Sequence, residues 1–242
     1  MPHCLACVFA HPDDETFGAG GTIARYALEG VSASLFCATD GDAGKSSGVA
    51  VASPAALGEV RRAELKQAAK ALGFRTISFG GYPDGKLATV DADALIDHVV
   101  DFLREHRPNV VVTFGPEGAP NVHRDHRAIS RATTAAFFLA GSPTARGARG
   151  LVPHRPSRLY YTSWAPPARD ARFPVQAVPA TAAIDVRVFM DAKRLAFEAH
   201  ASQHVHREAF ESTVTEHELF ALAAGVPQPS AMTDDLFAGL PE

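Results

Sequence analysis

The 242-residue sequence has only three cysteines, and it lacks both a long basic run and a long apolar run. Three cysteines do not fit a framework of paired disulfides. With a formal net charge of -4 and no concentrated positive stripe, the chain is not predicted to bind nucleic acid. No stretch approaches the roughly 20 consecutive apolar residues that a membrane helix needs, so no membrane span is expected.

The amino terminus also lacks the basic-then-apolar pattern of a signal peptide, because polar residues arrive by His11. The sequence therefore predicts a cytoplasmic protein. Cys4 and Cys7 form a C-x-x-C sequence, but on a strand two residues three apart point to opposite faces of the sheet. They are expected to be small core residues and not ligands of a zinc ion.

Apolar residues make up 46% of the chain and charged residues 21%, which is ordinary for one large globular domain. Strand-like and helix-like segments alternate along it, separated by loops that include residues 40–54 and 141–156. The predicted strands are residues 4–10, 31–39, 75–80, 109–114 and 159–164. The predicted helices are residues 17–29, 57–72, 92–106, 186–203 and 207–224.

This alternation predicts an α/β fold, namely a Rossmann-like, doubly wound, mostly parallel sheet with helices on both faces. Residues 1–140 are expected to form the catalytic core. Residues 141–242 are expected to add a small α+β portion that completes the substrate pocket, within one structural domain overall.

The most informative segment is residues 8–15, V-F-A-H-P-D-D-E, in which an apolar strand runs directly into a histidine and three acidic residues. Carboxylates at the end of a buried strand lose hydration energy unless something compensates them. A bound cation is the usual compensation, and histidine with carboxylate is a common ligand set for a divalent catalytic metal. The segment therefore predicts a metal-dependent enzyme.

Glycines at residues 18, 20 and 21 invite a different interpretation, that of a dinucleotide-binding dehydrogenase. The G-x-G-x-x-G pattern fails, however, because its last glycine is replaced by Ile23, and carboxylates occupy the turn where a pyrophosphate would bind. These glycines are expected instead to let the first helix pack closely against the sheet.

A second polar cluster, residues 121–127 (N-V-H-R-D-H-R), follows the fourth predicted strand. In a doubly wound sheet of strand order 3-2-1-4, the loops after strands one and four meet at the switch point where α/β folds bind ligands. His123, Asp125 and His126 are therefore expected to lie beside His11 and Asp14.

H-P-D-D-E after the first strand and H-x-D-H after the fourth resemble the LmbE-like or PIG-L family of metal-dependent N-deacetylases. The resemblance extends through residues 18–24, R-R-A-E-L at 61–65, P-D-G at 83–85, Lys193 and H-A-S-Q at 200–203. It implies hydrolysis of the N-acetyl amide of an N-acetylglucosamine-type sugar or glycoconjugate. The enzyme alternative is an amidase that acts on a mycothiol- or bacillithiol-type thiol conjugate.

The resemblance implies His11, Asp14 and His126 as ligands of one divalent ion, with Zn²⁺ first and Fe²⁺ as the alternative. It implies Asp13 as the general base and His123 as an electrostatic catalyst or acid. This division agrees with the chemistry, because a catalytic zinc site keeps a position for water, and a carboxylate off the metal must accept the proton.

Further residues are expected around the ligands and the base. Asp125 is expected to orient a histidine. Arg61, Asp84 and Gln203 are expected to bind the sugar, although Arg61 could instead pair with a carboxylate. Glu15 is expected either to cap the following helix or to hold a substrate hydroxyl.

The chain departs from the family pattern at Arg124, where many relatives have proline, and at Asn121-Val122. Neither change touches the proposed ligands, but both leave the identity of the sugar open. The sequence favours two roles for His200 equally, one in core packing and one in the active site. It assigns no role to Lys193. The protein could form a homo-oligomer. The alternative to an enzyme is a module that binds a metal ion or a sugar without catalysis.

Overall fold

The computed structural model describes residues 3–46, 52–144, 149–165 and 176–241. Its strands are β1 (Cys4–Phe9), β2 (Ser32–Thr39), β3 (Thr76–Tyr82), β4 (Val110–Phe114), β5 (Arg158–Ser163), β6 (Ala182–Asp185) and β7 (His217–Gly225). They form one seven-stranded sheet in the order β3-β2-β1-β4-β5-β7-β6. The first five strands in this order are parallel, and β7 is antiparallel to both of its neighbours.

The helices lie in two layers. They are α1 (Asp14–Leu28), α2 (Pro54–Leu72), α3 (Ala92–His106), α4 (Arg124–Leu139), α5 (Met190–Ala199) and α6 (Arg207–Glu211). Helix α3 packs against α4, whereas α1, α2 and α5 pack against one another. The predicted Rossmann-like fold with a mostly parallel sheet is confirmed. Among the described residues, no helix is long and apolar enough to cross a membrane.

The strand order determines which polar loops lie next to each other. Strand β1 is fully apolar in sequence and lies between β2 and β4, where nearly all of its side chains are buried. The polar loops that follow β1 and β4 therefore emerge side by side at the carboxyl end of the sheet, as predicted. The sheet continues past residue 140 into β5, β7 and β6, and the proposed division at that residue stays a prediction.

The helix predicted over residues 207–224 is wrong in its second half. Helix α6 ends at Glu211, and His217–Gly225 is strand β7, which pairs with β5 on one side and β6 on the other. The segment is rich in Leu and Ala, which favour helices in isolation. Pairing along both edges of this strand overrides that local preference.

Other boundaries shift by smaller amounts. The helix predicted over residues 186–203 is α5 alone, flanked by 3-10 turns at Arg187–Phe189 and Ala201–His206. Helix α1 begins at Asp14 and not at residue 17, so two acidic residues lie in its first turn, where the helix dipole favours negative charge. Residues 47–51 and 145–148, within the predicted loops 40–54 and 141–156, lie outside the described residues.

The glycines of α1 serve close packing, as predicted, but only Gly18 faces the sheet. A β-carbon on Gly18 would lie 3.3 Å from Thr162 of β5. One on Gly21 would lie 2.7 Å from Cβ of Val186, which leaves too little room for any side chain. The C-terminal segment thus approaches the backbone of α1 directly.

Candidate metal centre

The two polar loops meet as the strand order predicts. His11 and Asp14 follow β1, and His126 lies in the first turn of α4. Nδ1 of His11 is 3.2 Å from Nε2 of His126. The Asp14 carboxylate lies between the two rings, 3.3 Å from Nδ1 of His11 and 3.2 Å from Nε2 of His126.

The outer nitrogen of each ring is already engaged. Nε2 of His11 lies 3.0 Å from an Asp84 oxygen and 3.4 Å from an Asp125 oxygen. Nδ1 of His126 lies 3.2 Å from the carbonyl oxygen of Gly118. In neutral rings these acceptors favour a proton on the outer nitrogens and lone pairs on the two inner nitrogens. A proton on one inner nitrogen, which makes an N–H···N hydrogen bond, or a metal ion between the two relieves the repulsion of the facing lone pairs.

The triad fits a divalent ion in its dimensions. With bonds of about 2.0–2.1 Å, the ligand atoms of a tetrahedral zinc site lie about 3.3 Å apart. The two histidine nitrogens lie 3.2 Å apart, and each lies close to a different oxygen of Asp14, His11 at 3.3 Å from Oδ2 and His126 at 3.2 Å from Oδ1. All three residues are less than 10% exposed. These spacings are close to those between the ligand atoms of a zinc site.

Two other groups that share His11 could also hold a cation, one with His123 and His126 and one with Asp84 and Asp125. The second group is less suitable, because both oxygens of Asp125 accept backbone hydrogen bonds, whereas those that Asp14 accepts from the amides of His11 and Ala10 both go to Oδ2. Asp125 accepts from the amides of residues 85 and 87 at 2.7 and 3.0 Å, and Asp84 accepts from residue 43 at 2.9 Å.

The electrostatics also favour a cation. Burial lowers the pKa of His11, but the carboxylates of Asp14, Asp125 and Asp84 outweigh it and raise the pKa well above its usual value. Burial raises the pKa of Asp14, but His126 and His11 outweigh it and lower the pKa well below the usual range. A buried cluster with this excess of carboxylates attracts positive charge.

Asp13 lies beside the triad but is not part of it. Its backbone has φ of 119° and ψ of -28°, in the left-handed region that side chains rarely adopt. Oδ2 of Asp13 lies 3.2 Å from a guanidinium nitrogen of Arg61. Burial raises the pKa of Asp13 to about 6, with Arg61 acting against this shift and Asp14 adding to it.

Arg61 lies in the middle of α2 and is 3% exposed. Besides Asp13, its guanidinium donates to the carbonyl oxygens of Pro12 and Gly41. Gly41 has φ of +67°, and a β-carbon there would collide with the guanidinium at 2.3 Å. Arg61 thus contacts a carboxylate, and this contact does not test the predicted contact of Arg61 with a sugar.

His123 is the N-cap of α4, and its Nδ1 accepts a hydrogen bond from the amide of Asp125 at 3.2 Å. In the neutral ring the proton is therefore on Nε2. The ring centroid lies 4.8 Å from that of His11 and 4.9 Å from that of His126. Burial, together with these two rings, lowers the pKa of His123. His123 is thus suited to donate a hydrogen bond as neutral imidazole.

Gln203 lies at the edge of this region. Its amide donates to the carbonyl oxygen of Lys45 at 3.1 Å and to the Ser202 hydroxyl at 3.0 Å. These contacts connect the C-terminal segment to the loop after β2. They do not test the predicted contact with a sugar.

Several contributors were missed from the sequence. The Gly118 carbonyl that orients His126 is a backbone group and has no side-chain signal. Phe114 stacks on His126 with ring centroids 4.0 Å apart, and the sequence showed it only as the end of a strand. Glu15 and His200 form a buried contact of 2.8 Å, which neither alternative for Glu15 anticipated.

The departures from the family pattern lie at the start of α4. Arg124 is exposed at the first position of the helix, a place where proline is also favoured. Val122 has φ of 54°, which is unusual for a β-branched residue. Neither side chain enters the triad of His11, Asp14 and His126.

Known proteins match this chain over most of its length. The family model "PIG-L: GlcNAc-PI de-N-acetylase" matches residues 6–137. A 1D-myo-inositol 2-acetamido-2-deoxy-α-D-glucopyranoside deacetylase of Rhodococcus erythropolis is 34% identical, with 98% of this chain and 97% of that protein covered. A protein of the same name from Kineococcus radiotolerans is 35% identical, but the match spans 66% of this chain and 52% of that protein.

A third relative, from Bacillus cereus, is named "Probable N-acetyl-alpha-D-glucosaminyl L-malate deacetylase 2". It is 37% identical over 56% of this chain and 61% of its own length. All three relatives are named as deacetylases, and the group attached to the amino sugar is an inositol in the first two names and a malate in the third.

Two solved structures show the fold. N,N'-diacetylchitobiose deacetylase from Pyrococcus horikoshii has a TM-score of 0.73 at 22% identity, with 90% of this chain and 83% of that chain covered. The 4-carboxy-2-hydroxymuconate hydratase of Pseudomonas putida has a TM-score of 0.74 at 19% identity, with 94% and 99% covered. One fold thus supports two reactions, and the reaction must be argued from the site. On the family match and the full-length Rhodococcus relative, the chain belongs to the PIG-L family of de-N-acetylases.

Proposed function

We propose that this protein hydrolyses the N-acetyl amide of an N-acetylglucosamine conjugate and releases acetate and a free amine. The observation that carries the proposal is the convergence of His11, Asp14 and His126, with the carboxylate of Asp13 left outside that triad. Deacetylase names among the relatives support the same reaction.

His11, Asp14 and His126 are the proposed ligands of one divalent ion. Two imidazole nitrogens and one carboxylate are a ligand set of catalytic zinc sites, which makes Zn²⁺ the first candidate. The same set suits Fe²⁺, which is the alternative. When bound, the ion supplies Lewis-acid activation of the water and of the amide carbonyl.

Asp13 is the proposed general base. Its carboxylate accepts the proton of the attacking water and then passes it to the departing amine, so the overall reaction consumes one water and one amide. A nearby cation would lower the pKa of Asp13 from about 6 toward the ordinary carboxyl range, so the side chain is ionised at neutral pH. Arg61 holds one carboxylate oxygen and leaves the other for the proton.

His123 is the proposed hydrogen-bond donor to the carbonyl oxygen on which negative charge develops. Its lowered pKa favours the neutral ring, which has its proton on Nε2. Of the two roles expected from the sequence, this geometry supports the electrostatic one over the acid. The amine then receives its proton from Asp13.

Asp125 and Asp84 are proposed to position His11 and not to touch the reacting atoms. Both carboxylates face Nε2 of His11, and such contacts fix the tautomer of a metal-binding histidine. The predicted contacts of Arg61, Asp84 and Gln203 with the sugar stay predictions. Within the chain, these side chains contact Asp13, His11 and the carbonyl oxygen of Lys45, respectively.

The proposal specifies the N-acetylglucosamine part of the substrate and not the group attached to it. The relatives' names give an inositol and a malate, and a thiol-conjugate amidase would use the same catalytic residues. A homo-oligomer, the absence of nucleic-acid and membrane partners, and a cytoplasmic location stay predictions.

The test is a measurement of amine release by zinc-loaded protein from N-acetylglucosaminyl inositol, N-acetylglucosaminyl malate, N,N'-diacetylchitobiose and an amide thiol conjugate. We expect turnover of at least one N-acetylglucosamine conjugate by the native protein and none above background by Asp13→Ala. Stoichiometric zinc with no amine from any of the four would favour the non-catalytic binding module. Nucleotide absorbance in the purified protein would instead favour the dehydrogenase.

A further inference from the structure

Glu15 and His200 form a buried pair that the proposed reaction steps do not use. Glu15 is 1% exposed and His200 is 0% exposed, and Oε1 of Glu15 lies 2.8 Å from Nε2 of His200. We infer that this pair is a positioning device, which holds the Asp13 carboxylate in the orientation needed for proton transfer. The inference rests on the proposed role of Asp13 as the base.

The backbone of Asp13 needs such support. A φ of 119° is unfavourable for any residue with a β-carbon, and it persists only where the surroundings enforce it. The other oxygen of Glu15, Oε2, accepts the amide hydrogen of Asp13 at 3.0 Å. The carbonyl of Asp13 meanwhile accepts from Thr16 at 2.9 Å, in the first turn of α1. Glu15 therefore fixes the peptide plane that precedes Asp13.

His200 in turn fixes Glu15. A buried carboxylate needs hydrogen-bond donors, and those of Glu15 are His200, the Asp13 amide and the Thr16 hydroxyl at 2.5 Å. His200 is the only one of the three that comes from outside the turn, and it lies 185 residues away in sequence. Without it, the carboxylate could rotate away from the Asp13 amide.

The segment that carries His200 is itself held against the core at two points. Nζ of Lys193 donates to the carbonyl oxygen of Phe17 at 3.2 Å, and the Ser202 hydroxyl donates to Glu64 at 2.6 Å. His200 lies between these contacts, at the end of α5. The C-terminal segment thereby sets the geometry of the turn that carries the base.

Three variants test the inference through kcat and KM with the zinc-loaded enzyme. Glu15→Ala removes the acceptor of the Asp13 amide, and we expect kcat to fall by about 10- to 100-fold with KM changed by less than about threefold. Glu15→Gln restores an oxygen acceptor and should recover kcat to within about fivefold of the native value. His200→Ala leaves Glu15 without its external donor and should lower kcat by about 10-fold.

Tyr26→Phe is the matched control. It removes two hydrogen bonds from the same helix α1, a partly buried one to Asp235 at 2.9 Å and a buried one from the Leu236 amide at 2.7 Å, far from the catalytic turn. It should lower the melting temperature and leave kcat unchanged. All variants should retain one zinc per chain.

Native kcat in Glu15→Ala and His200→Ala would overturn the inference, as would an equal loss in Glu15→Gln and Glu15→Ala. If both alanine variants fail to fold, the pair acts in stability and the inference is wrong. If the native enzyme releases no amine, the proposed function is wrong. If the native enzyme is active and the variants have the same kcat, only the positioning role of the pair is wrong.

Discussion

Nδ1 of His11 and Nε2 of His126 lie 3.2 Å apart, although the two residues are separated by 115 positions in the chain. Each ring has its other nitrogen occupied by an acceptor, carboxylates for His11 and the Gly118 carbonyl for His126. The two inner nitrogens thus face each other and the Asp14 carboxylate. This arrangement separates the residues that would hold an ion from the residue that would move the proton.

The first prediction concerns that separation. Asp13→Ala should retain the metal and lose at least about 100-fold in turnover, because it removes the general base. Asp14→Ala should lose the metal, because it removes a ligand of the triad. Elemental analysis and amine release measured on the same preparations check both. An Asp13→Ala protein without metal beside a fully loaded Asp14→Ala protein would reverse the assignment.

The second prediction concerns pH. A proton competes with the ion for Nδ1 of His11, so metal affinity falls as pH decreases. Burial lowers the pKa of His11, but Asp14, Asp125 and Asp84 outweigh it and hold the pKa well above 6.5. The loss of affinity should therefore begin above pH 6.5, higher than for an ordinary histidine.

Asp84→Asn removes one of these carboxylates and should move the midpoint of that loss to lower pH. Competition with a chromophoric chelator across the pH range measures both midpoints. An affinity that is flat from about pH 5 to about pH 8 would argue against histidine ligation.

The third prediction concerns the backbone of Asp13. Glycine adopts positive φ without the penalty that a β-carbon brings. Asp13→Gly should therefore be more stable than Asp13→Ala by about 1 kcal/mol, although both lose the contact with Arg61. Urea unfolding of the two variants measures the difference. Equal stabilities would mean that the turn at Asp13 is not strained.

The fourth prediction concerns the buried ion pair of Lys193 and Glu218, whose atoms lie 2.7 Å apart. Glu218 also accepts hydrogen bonds from the amides of Gly21 and Thr22 in α1. Lys193→Met leaves this carboxylate buried without its cation and should destabilise the fold by about 3–5 kcal/mol at neutral pH.

Burial raises the pKa of Glu218, but Lys193 outweighs it and lowers the pKa below its ordinary value of 4.5. The pair therefore stabilises the fold above that value, and its contribution is lost as pH falls through the folded-state pKa. Without Lys193, only the hydrogen bonds from α1 oppose burial, so the pKa of Glu218 rises and its carboxyl is protonated at higher pH than in the native protein. The difference in unfolding free energy between native and Lys193→Met protein should shrink as pH falls from about 7 to about 4. A difference independent of pH would contradict this.

The sequence predicted the parts of the site that follow from strand order. His11 and His126 could be placed together because the carboxyl ends of adjacent parallel strands meet at one edge of the sheet. The strand His217–Gly225 could not be predicted, because its sequence favours a helix and only pairing with β5 and β6 decides otherwise. The contact of Glu15 with His200 spans 185 residues and has no local pattern.

The zinc content of the native protein and of His126→Ala measures whether the loops after β1 and β4 form one metal site. We expect one ion per chain in the native protein and almost none in the variant, because the loop after β4 supplies a ligand that the loop after β1 cannot replace. A native protein that binds no divalent ion, or a His126→Ala protein that keeps a full ion, would contradict it.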